Sequence, residues 1–346
     1  MKKTFFIIAA AMTVFTACND NRVADLDVQG QEAVEGKMID LTIKVDQDQT
    51  KATSVTEAGE KTVNTLQVFV FRADDGMSLD VCGMASTNSL TLKCTSGSRK
   101  VYALVNAPDI RNSVFNEADL LASQTLLTDN TSSTNLVMIG NTTKTLTAPG
   151  EAVTVEVKRV ASSIVINKIS TAFTSSAQAN GEFYIKGIYL LNVNGKNNYA
   201  IDAETSEDAY WYNRLSSTEN AFPTAGIVAD LGMNEAVTSS KSYDKVHTFY
   251  AYPNSESYVS NGTWSKRATM LVVETTFKGA SDAAPTTYYY PIAVENLESN
   301  KKYIIPEIII TRLGSQDPYE EVTFADCTFS VTVKDWDKNT LNTETI

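Results

Sequence analysis

Apolar and polar residues alternate with a period of two along most of this 346-residue chain. Because successive side chains of a β-strand point to opposite sides of its sheet, this alternation is typical of strands with one buried face. The segments that carry the pattern are 66–71, 100–106, 153–160, 164–166, 184–193, 246–252, 269–277, 288–294, 303–312 and 328–333. Turns rich in Gly, Asn, Ser and Thr separate them, which predicts an all-β protein built from antiparallel sandwiches or barrels.

Helical signals are scarce, and the best candidate is the segment 116–124. There Glu117 and Asp119 lie near a helix start, while Leu120 and Leu121 give a partial apolar face. The fold class predicted from these patterns is therefore all-β with little helix.

The chain is long enough for two domains of about 100–200 residues each. Near Lys158 and Arg159 one alternating strand, 153–157, gives way to a second, 164–166. Each side of this point has room for about seven strands, as in many β-sandwiches. No internal repeat or low-complexity linker separates the two parts of the sequence. We therefore predict two closely packed sandwiches with a boundary between residues 158 and 159.

The N-terminal residues have the features of an export signal. Lys2 and Lys3 precede the apolar run 5–15, which is well short of the ~20 residues that a membrane-spanning helix needs. The run ends in Thr-Ala-Cys, which resembles the lipobox of bacterial lipoproteins, whose cysteine is lipidated after cleavage. We therefore expect residues 1–17 to be a signal peptide and Cys18 to carry lipid. An ordinary signal peptide with an incidental Cys18 is the alternative.

The net charge of −12 at pH 7 limits the possible partners. An acidic chain without a basic cluster is a poor ligand for the phosphate backbone of nucleic acids. With 43% hydrophobic residues and charges of both signs, the chain can bury a core and is not disordered as a whole. We expect a folded protein with no nucleic-acid partner.

The segment 36–54 combines a well-formed strand with an unusual continuation. Ile39, Leu41, Ile43 and Val45 alternate with polar residues and so predict one buried strand face. A polar run without Pro or Gly follows and ends in a basic residue, Lys51. Such a run is a typical exposed site for proteolysis. A permanent edge strand with a solvated loop is the alternative.

Three cysteines follow Cys18. Cys82 ends the strand-like run 79–82, and Cys94 ends the run 90–94. If the two runs pair as a hairpin, their sulfur atoms can lie opposite one another and form a disulfide in an oxidising compartment. Two buried thiols are the equal alternative. Cys327 lies on an alternating strand, where a buried core residue is the ordinary expectation.

Motifs of catalysis are missing from the sequence. The single histidine, His247, would have to serve any Ser–His–Asp arrangement, but no Gly-x-Ser-x-Gly motif occurs. Paired metal ligands at short spacing and Gly-rich phosphate loops are absent as well. We expect a protein that is not an enzyme and uses no metal or cofactor, with His247 hydrogen-bonded on a strand.

Two aromatic triplets, 210–212 and 288–290, offer flat rings that can bind a sugar or another protein. In an all-β protein such residues alternate between core and surface, so we expect at least one ring of each triplet to be buried. A glycan-binding surface lipoprotein, with Trp211 in its binding platform, is the alternative function.

Several segments, in their order along nearly the whole chain, resemble those of the type V pilins. The matching segments are 65–71, 99–107, 155–164, 300–305, 309–311 and 331–336. These pilins are fimbrial subunits that Gram-negative anaerobes export as lipoproteins. The resemblance implies two tandem transthyretin-like antiparallel β-sandwich domains, an N-terminal one over residues 52–158 and a C-terminal one over residues 159–346.

The resemblance also implies a maturation route. In that family the first strand of a lipidated precursor fills a groove in the N-terminal sandwich. An extracellular trypsin-like protease then cuts the following loop, and the groove accepts the C-terminal strand of another subunit. Residues 18–51 correspond to the lipidated propeptide, with Ile39, Leu41, Ile43 and Val45 on its exchangeable strand, and the cut corresponds to Lys51–Ala52. Many members have Arg at this point, so Lys51 requires a protease that accepts lysine.

The donor strand is assigned to the C-terminal tail, on Leu341, Thr343, Thr345 and Ile346. Because Leu341 and Ile346 fall on opposite faces of a regular strand, either a bulge resets the register or Thr343 and Thr345 fill shallow pockets beside Leu341, and a frayed tail is the alternative. The partners implied are other copies of the chain, accessory pilus subunits, the trypsin-like surface protease and host or bacterial surface receptors. The precursor is expected to pass the periplasm and reach the outer membrane through its lipid, before joining an extracellular fimbrium that serves adhesion. A cleavable first strand favours a stalk subunit over an anchor, and a tip adhesin of the same family is the alternative.

Overall fold

The structure, a computed structural model, describes residues 36–45, 59–73, 76–200, 211–212, 227–255, 268–318 and 327–336. The strands of the first half are β1 (Met38–Val45), β2 (Leu66–Arg72), β3 (Ser78–Ala85), β4 (Ser89–Thr95), β5 (Gly97–Val105), β6 (Gln124–Leu126), β7 (Met138–Leu146), β8 (Glu151–Val155) and β9 (Lys158–Arg159). The helices are α1 (Glu117–Ala122), a 3₁₀ turn (Leu127–Asp129) and α2 (Ser176–Ala179). No helix among the described residues is both long and apolar enough to cross a membrane.

The second half continues with β10 (Ser162–Ile166), β11 (Ile169–Thr171), β12 (Glu182–Leu191), β13 (Val193–Asn194), β14 (Lys196–Asn198), β15 (Trp211–Tyr212), β16 (Ala229–Ala236), β17 (His247–Ala251), β18 (Met270–Lys278), β19 (Thr286–Ala293), β20 (Lys301–Ile305), β21 (Ile308–Ile310), β22 (Cys327–Phe329) and β23 (Thr332–Asp335). The all-β prediction is confirmed. The segment 303–312, predicted as one strand, is divided into β20 and β21 around Pro306, which has no N–H for the ladder.

The first half is a two-layer arrangement. One layer has the strand order β4-β1-β8, and the other has the order β3-β2-β5-β7-β9. Apolar side chains from both layers form one buried cluster. Strand β2 is buried on both faces, because Leu66, Val68 and Val70 face this cluster while Phe69 and Phe71 face a second, larger one.

The second half contains the sheets β16-β12-β18-β19, β17-β10-β20-β23 and β11-β21-β22. Strands from all three contribute to the larger cluster, which also includes first-half residues such as Phe69. Lys158 and Arg159 form β9 and pair with β7, while the next strand, β10, pairs with β17 and β20. The exact division into residues 52–158 and 159–346 stays a prediction.

The predicted helix is present as α1, within the segment 116–124. The Asn116 side chain accepts a hydrogen bond from the backbone N–H of Asp119, and the Asp119 side chain accepts one from the backbone N–H of Asn116. This reciprocal capping satisfies N–H groups that the first helical turn leaves without partners. The acidic residues noted in the sequence therefore mark a real helix start.

The hairpin considered for the two cysteine-bearing runs is not formed. Strand β3 pairs with β2, whereas β4 belongs to the other layer and pairs with β1. Cys82 packs against the larger cluster and Cys94 lies inside the smaller one. Both are free thiols, so the disulfide considered for them is not formed. Cys327 is a buried free thiol of the larger cluster, as expected.

Candidate functional site

The candidate site is the position that β1 occupies in its sheet. Strand β1 is central: it pairs antiparallel with β4 on one side and parallel with β8 on the other. Leu41 lies opposite Leu92 of β4 and Glu151 of β8, and the same double pairing continues through Ile43. In the sheet order β4 and β8 are joined through β1 alone. Taking β1 away would therefore leave a cleft between two unpaired strands.

The inner face of β1 carries the four apolar residues predicted from the sequence. Leu41 and Ile43 are 0% exposed, and Ile39 and Val45 are 3% exposed. We call the surface beneath them the β1 groove. It is lined by Leu66, Val68, Val70, Cys94, Val101, Ala103, Val105, Met138, Leu146, Val153 and Val155. These lining residues are all apolar, so they suit a strand with apolar residues at alternate positions.

Burial of this face gives β1 a large driving force. Full burial of an aliphatic side chain contributes about 1.5–3 kcal/mol, so four of them contribute roughly 6–12 kcal/mol before the cost of ordering the strand. The backbone ladders on both sides of β1 add directional bonds. An attached β1 therefore stays in the groove, and a strand of similar pattern can compete for the place once β1 is detached.

One bank of the groove, β4, ends in a cluster of charged residues. Asp80 lies where the β2–β3 register shifts, so it is the extra residue of a β-bulge, a feature that re-aims side chains. Its carboxylate accepts hydrogen bonds from the backbone N–H and the hydroxyl of Thr95, at 2.7 and 2.8 Å. Arg72 and Arg99 form ion pairs with the same carboxylate at 3.1 and 3.4 Å. Burial opposes ionisation of Asp80, but the bonds from Thr95 and Arg72 outweigh it and lower its pKa.

The other bank, β8, begins at a second charged residue. Glu151 forms an ion pair of 2.7 Å with Lys144 of β7. Its carboxylate also accepts hydrogen bonds from the backbone N–H groups of Thr147 and Ala148, at 2.6 and 3.1 Å. Partial burial would raise the pKa of Glu151, but these donors outweigh that effect and lower its pKa to about 2. The turn between β7 and β8 is therefore fixed by an ionised side chain.

These carboxylates predict a loss of stability in acid. A carboxyl whose pKa is lowered from 4.5 to about 2 on folding stabilises the folded chain above pH 4.5, and this contribution is lost as the pH falls towards 2. We expect the free energy of unfolding to decrease over this interval and the decrease to be smaller in Glu151→Gln. Urea titrations of both proteins at a series of pH values measure the slopes. Equal slopes would contradict the assignment.

A buried glutamate joins the first residues described after β1 to the last described residue, Trp336. Glu60 is 2% exposed and accepts hydrogen bonds from Tyr250 Oη at 2.9 Å and Trp336 Nε1 at 2.8 Å. Arg159 lies over the Trp336 ring at 4.6 Å and donates from Nε to the Glu60 carbonyl oxygen at 3.1 Å. Trp336 comes directly after β23, so this cluster fixes the point from which the C-terminal tail departs.

Comparison with known proteins supplies the family. Residues 39–185 match the model of the major fimbrial subunit protein (FimA). A curated relative, the major fimbrium subunit FimA type-2 of Porphyromonas gingivalis, is 23% identical, with 97% of this chain and 98% of the relative covered. These matches support membership of the type V pilin family, which the order of the sequence segments also suggests. That family consists of structural fimbrial subunits and is not a family of enzymes.

Solved structures show the same fold. A candidate cell adhesion protein from Bacteroides eggerthii is 22% identical with a TM-score of 0.61, and 88% of this chain and 98% of that one are covered. A fimbrilin from Porphyromonas gingivalis is 15% identical with a TM-score of 0.60, covering 86% of this chain and 97% of that one. At these identities the likeness establishes the fold alone, and it confirms the pilin-type β-sandwich architecture implied by the sequence.

Several predicted site residues lie outside the described residues. They are Cys18, Lys51, Ala52, Leu341, Thr343, Thr345 and Ile346. The residues predicted for the exchangeable strand, Ile39, Leu41, Ile43 and Val45, lie together on one buried face, with Cys94 beside Ile39 in the ladder. Asp80, Glu60 and Glu151 were not singled out from the sequence, because isolated acidic residues give no sign of the distant partners that bury them.

His247 is hydrogen-bonded on its strand, as predicted. Its Nε2 lies 2.7 Å from Tyr243 Oη, and its Nδ1 lies 2.5 Å from a carboxylate oxygen of Asp230. Across the part of the chain that the structure describes, no group of three or more His, Cys, Asp or Glu residues is arranged to hold a metal ion. The hydrogen bonds with Tyr243 and Asp230 therefore account for His247 as a structural residue.

The second aromatic triplet does not form one flat face. Tyr290 is fully buried in the larger cluster, and its hydroxyl donates to the Arg312 carbonyl oxygen at 2.8 Å. Tyr288 packs against the same cluster, whereas Tyr289 packs against a small separate cluster on the opposite side of the sheet. In the first triplet, Trp211 and Tyr212 form β15 and pair with β13. The rings at 288–290 are thus divided between two faces.

Proposed function

We propose that this chain is a stalk subunit of a surface fimbrium that polymerises by protease-triggered strand exchange. The observation that carries the proposal is the central position of β1 between β4 and β8. An edge strand can be lost without opening its sheet. A central strand with a fully apolar inner face leaves an apolar groove that must be filled again.

The proposed sequence of events begins with a precursor lipidated at Cys18 and held at the outer membrane. While β1 is covalently attached, it competes for the groove at a high effective concentration. A trypsin-like surface protease cuts between Lys51 and Ala52. The detached β1 then binds with only an ordinary bimolecular affinity, so a strand from another subunit can replace it.

The replacing strand is the C-terminal tail, residues 337–346, of a second copy. β-Strand addition draws much of its affinity from backbone hydrogen bonds, and alternate side chains fill the pockets. Leu341, Thr343 and Thr345 share one face of a regular strand, whereas Ile346 reaches that face only if a β-bulge resets the register. A contact between the tail of one subunit and the groove of the next is heterologous and does not close, so it extends into a filament. Accessory subunits and a receptor would complete the adhesive fimbrium.

Cys94 provides a test of the opening step. Burial raises the pKa of its thiol to about 11, and thiols react as thiolates, so an occupied groove protects it. Limited treatment with a trypsin-like protease should yield a new N-terminus at Ala52 and rapid maleimide labelling of Cys94 while the groove is open, followed by a ladder of heat-labile multimers in which Cys94 is protected again. Peptide mapping separates labelled Cys94 from Cys82 and Cys327.

The matched control is Lys51→Ala under the same treatment. It should keep Cys94 protected and remain monomeric, since the tether to β1 stays intact. Wild-type protein that is cut at Lys51 but stays monomeric, with Cys94 still protected, would contradict the proposed strand exchange.

A further inference from the structure

The two banks of the β1 groove depend on β1 for their ladder bonds. Among the strands that the structure describes, β4 and β8 each have one ladder partner in their sheet, and it is the same strand, β1. Adjacent strands lie about 4.8 Å apart, so the banks must stay roughly twice that distance apart to admit a new strand. An unsupported pair of strands would be free to close this gap and bury its own exposed edges.

The β4 bank is tied to the other layer through the charged cluster at its C-terminal end. Asp80 of β3 accepts two hydrogen bonds from Thr95, the last residue of β4. Arg99 of β5 donates to the Thr95 carbonyl oxygen at 3.0 Å and to the Ser96 carbonyl oxygen at 2.6 Å. Asp80 and Arg99 are both almost fully buried, with side chains 4% and 3% exposed. None of these bonds uses an atom of β1.

The β8 bank is tied to the same layer at its N-terminal end. Glu151, the first residue of β8, pairs with Lys144 of β7. Lys144 also donates to the carbonyl oxygen of Ala152 at 3.2 Å. The Glu151 carboxylate closes the turn through Thr147 and Ala148. These bonds are likewise independent of β1.

We propose that Asp80 with Arg99, and Glu151 with Lys144, are positioning residues that keep the banks of the groove apart while it is empty. This inference rests on the proposed strand exchange. Both clusters join a bank to the five-stranded layer, β3-β2-β5-β7-β9, which does not lose a strand when β1 leaves. They therefore preserve an acceptor site for a strand of a second copy during the interval after cleavage.

The test compares occupied and emptied grooves in the same variants. The probe is a fluorescent synthetic peptide of residues 37–46, which contains the whole of β1. Wild-type protein cut at Lys51 should exchange its own β1 for this peptide. The variants are Asp80→Asn and Glu151→Gln. The control is Asp109→Asn, which removes an exposed ion pair of 2.7 Å with Arg111, outside these two clusters.

We expect peptide affinity after cleavage to fall at least about tenfold in Asp80→Asn and Glu151→Gln and to stay unchanged in Asp109→Asn. In the uncut proteins the same substitutions should change peptide binding much less, because β1 then bridges both banks. Glu151 is the more exposed of the two carboxylates, so Glu151→Gln keeps the test valid if Asp80→Asn fails to fold. If the cut variants bind the peptide with wild-type affinity, the inference about the positioning residues is overturned but the proposed strand exchange is not. Failure of the cut wild type to bind the peptide would overturn the proposed function with it.

Discussion

Replacement of Leu41 by aspartate is expected to expel β1 from the groove of the uncut chain. Leu41 is 0% exposed at the centre of the strand's inner face. Truncation of a buried leucine costs about 2–5 kcal/mol, and a carboxylate without a partner in the same place adds a desolvation cost. Because the whole inner face contributes roughly 6–12 kcal/mol before ordering costs, this single change removes much of the strand's binding free energy.

The measurement is the rate of maleimide labelling at Cys94 in protein that has not been cut. Cys94 of Leu41→Asp should be labelled as rapidly as Cys94 of cleaved wild type, because its Sγ atom, which lies beside β1, is then exposed. The matched control is Thr42→Asp, which adds the same charge one residue further along. The Thr42 hydroxyl makes an exposed hydrogen bond of 3.0 Å with the Thr91 hydroxyl, so aspartate can remain in water there. Equal protection of Cys94 in Leu41→Asp and wild type would contradict the role assigned to this face.

The alternation in β1 was enough to predict which of its side chains are buried, because that choice depends only on the two-residue repeat of a strand. The sequence did not predict that β1 is central. Its neighbours β4 and β8 lie about 50 and 110 residues further along the chain, and their pairing is set by tertiary packing rather than by local pattern. The alternative of an edge strand was therefore open at that stage, and the structure excludes it.

Two of the longer strands were missed for a related reason. Strand β7 reads MIGNTTKTL and strand β16 reads ADLGMNEA, so neither contains an unbroken apolar alternation. β7 is stabilised by its long ladder with β5, and Gly140 permits an approach that a Cβ atom would block, at 1.9 Å from the Glu156 carbonyl oxygen. Strands of this kind are specified by the backbone segments that pack beside them, and a single sequence does not show which segments those are.

Of the two alternatives left open for Cys82 and Cys94, the free thiols are found, and the reason is topological. The two cysteine-bearing runs are consecutive and separated by a short polar turn, which is the ordinary pattern of a hairpin. Here the connection passes from one layer to the other, so Cys82 and Cys94 face different clusters. Similarly, the bulge at Asp80 turns a carboxylate from an alternating strand into a buried partner of Thr95. Sequence spacing alone gives the wrong direction for side chains at such points.

Trp336→Ala is the second substitution expected to have a large effect. The ring is stacked on Tyr250 with centroids 5.9 Å apart and planes inclined by 7°, and Arg159 lies 4.6 Å above it. Loss of a buried tryptophan costs about 3–5 kcal/mol, and the Glu60 carboxylate loses one of its hydrogen-bond donors in the same step. We expect the free energy of unfolding to fall by at least about 3 kcal/mol, measured by urea denaturation of the uncut chain.

Two further variants separate the contributions of the ring and its N–H. Trp336→Phe retains an aromatic ring beside Tyr250 but has no donor for Glu60, so its loss should be smaller, about 1–3 kcal/mol. Val333→Ala, at a 54% exposed position of the preceding strand β23, should change stability by no more than about 0.5 kcal/mol. Trp336→Ala as stable as Val333→Ala would contradict the cluster's role. We expect the loss of stability to be largest in Trp336→Ala, smaller in Trp336→Phe and smallest in Val333→Ala. That ranking would mean that the buried Glu60 carboxylate anchors Trp336, the residue immediately before the proposed donor tail. The tail would then leave each subunit from a fixed point.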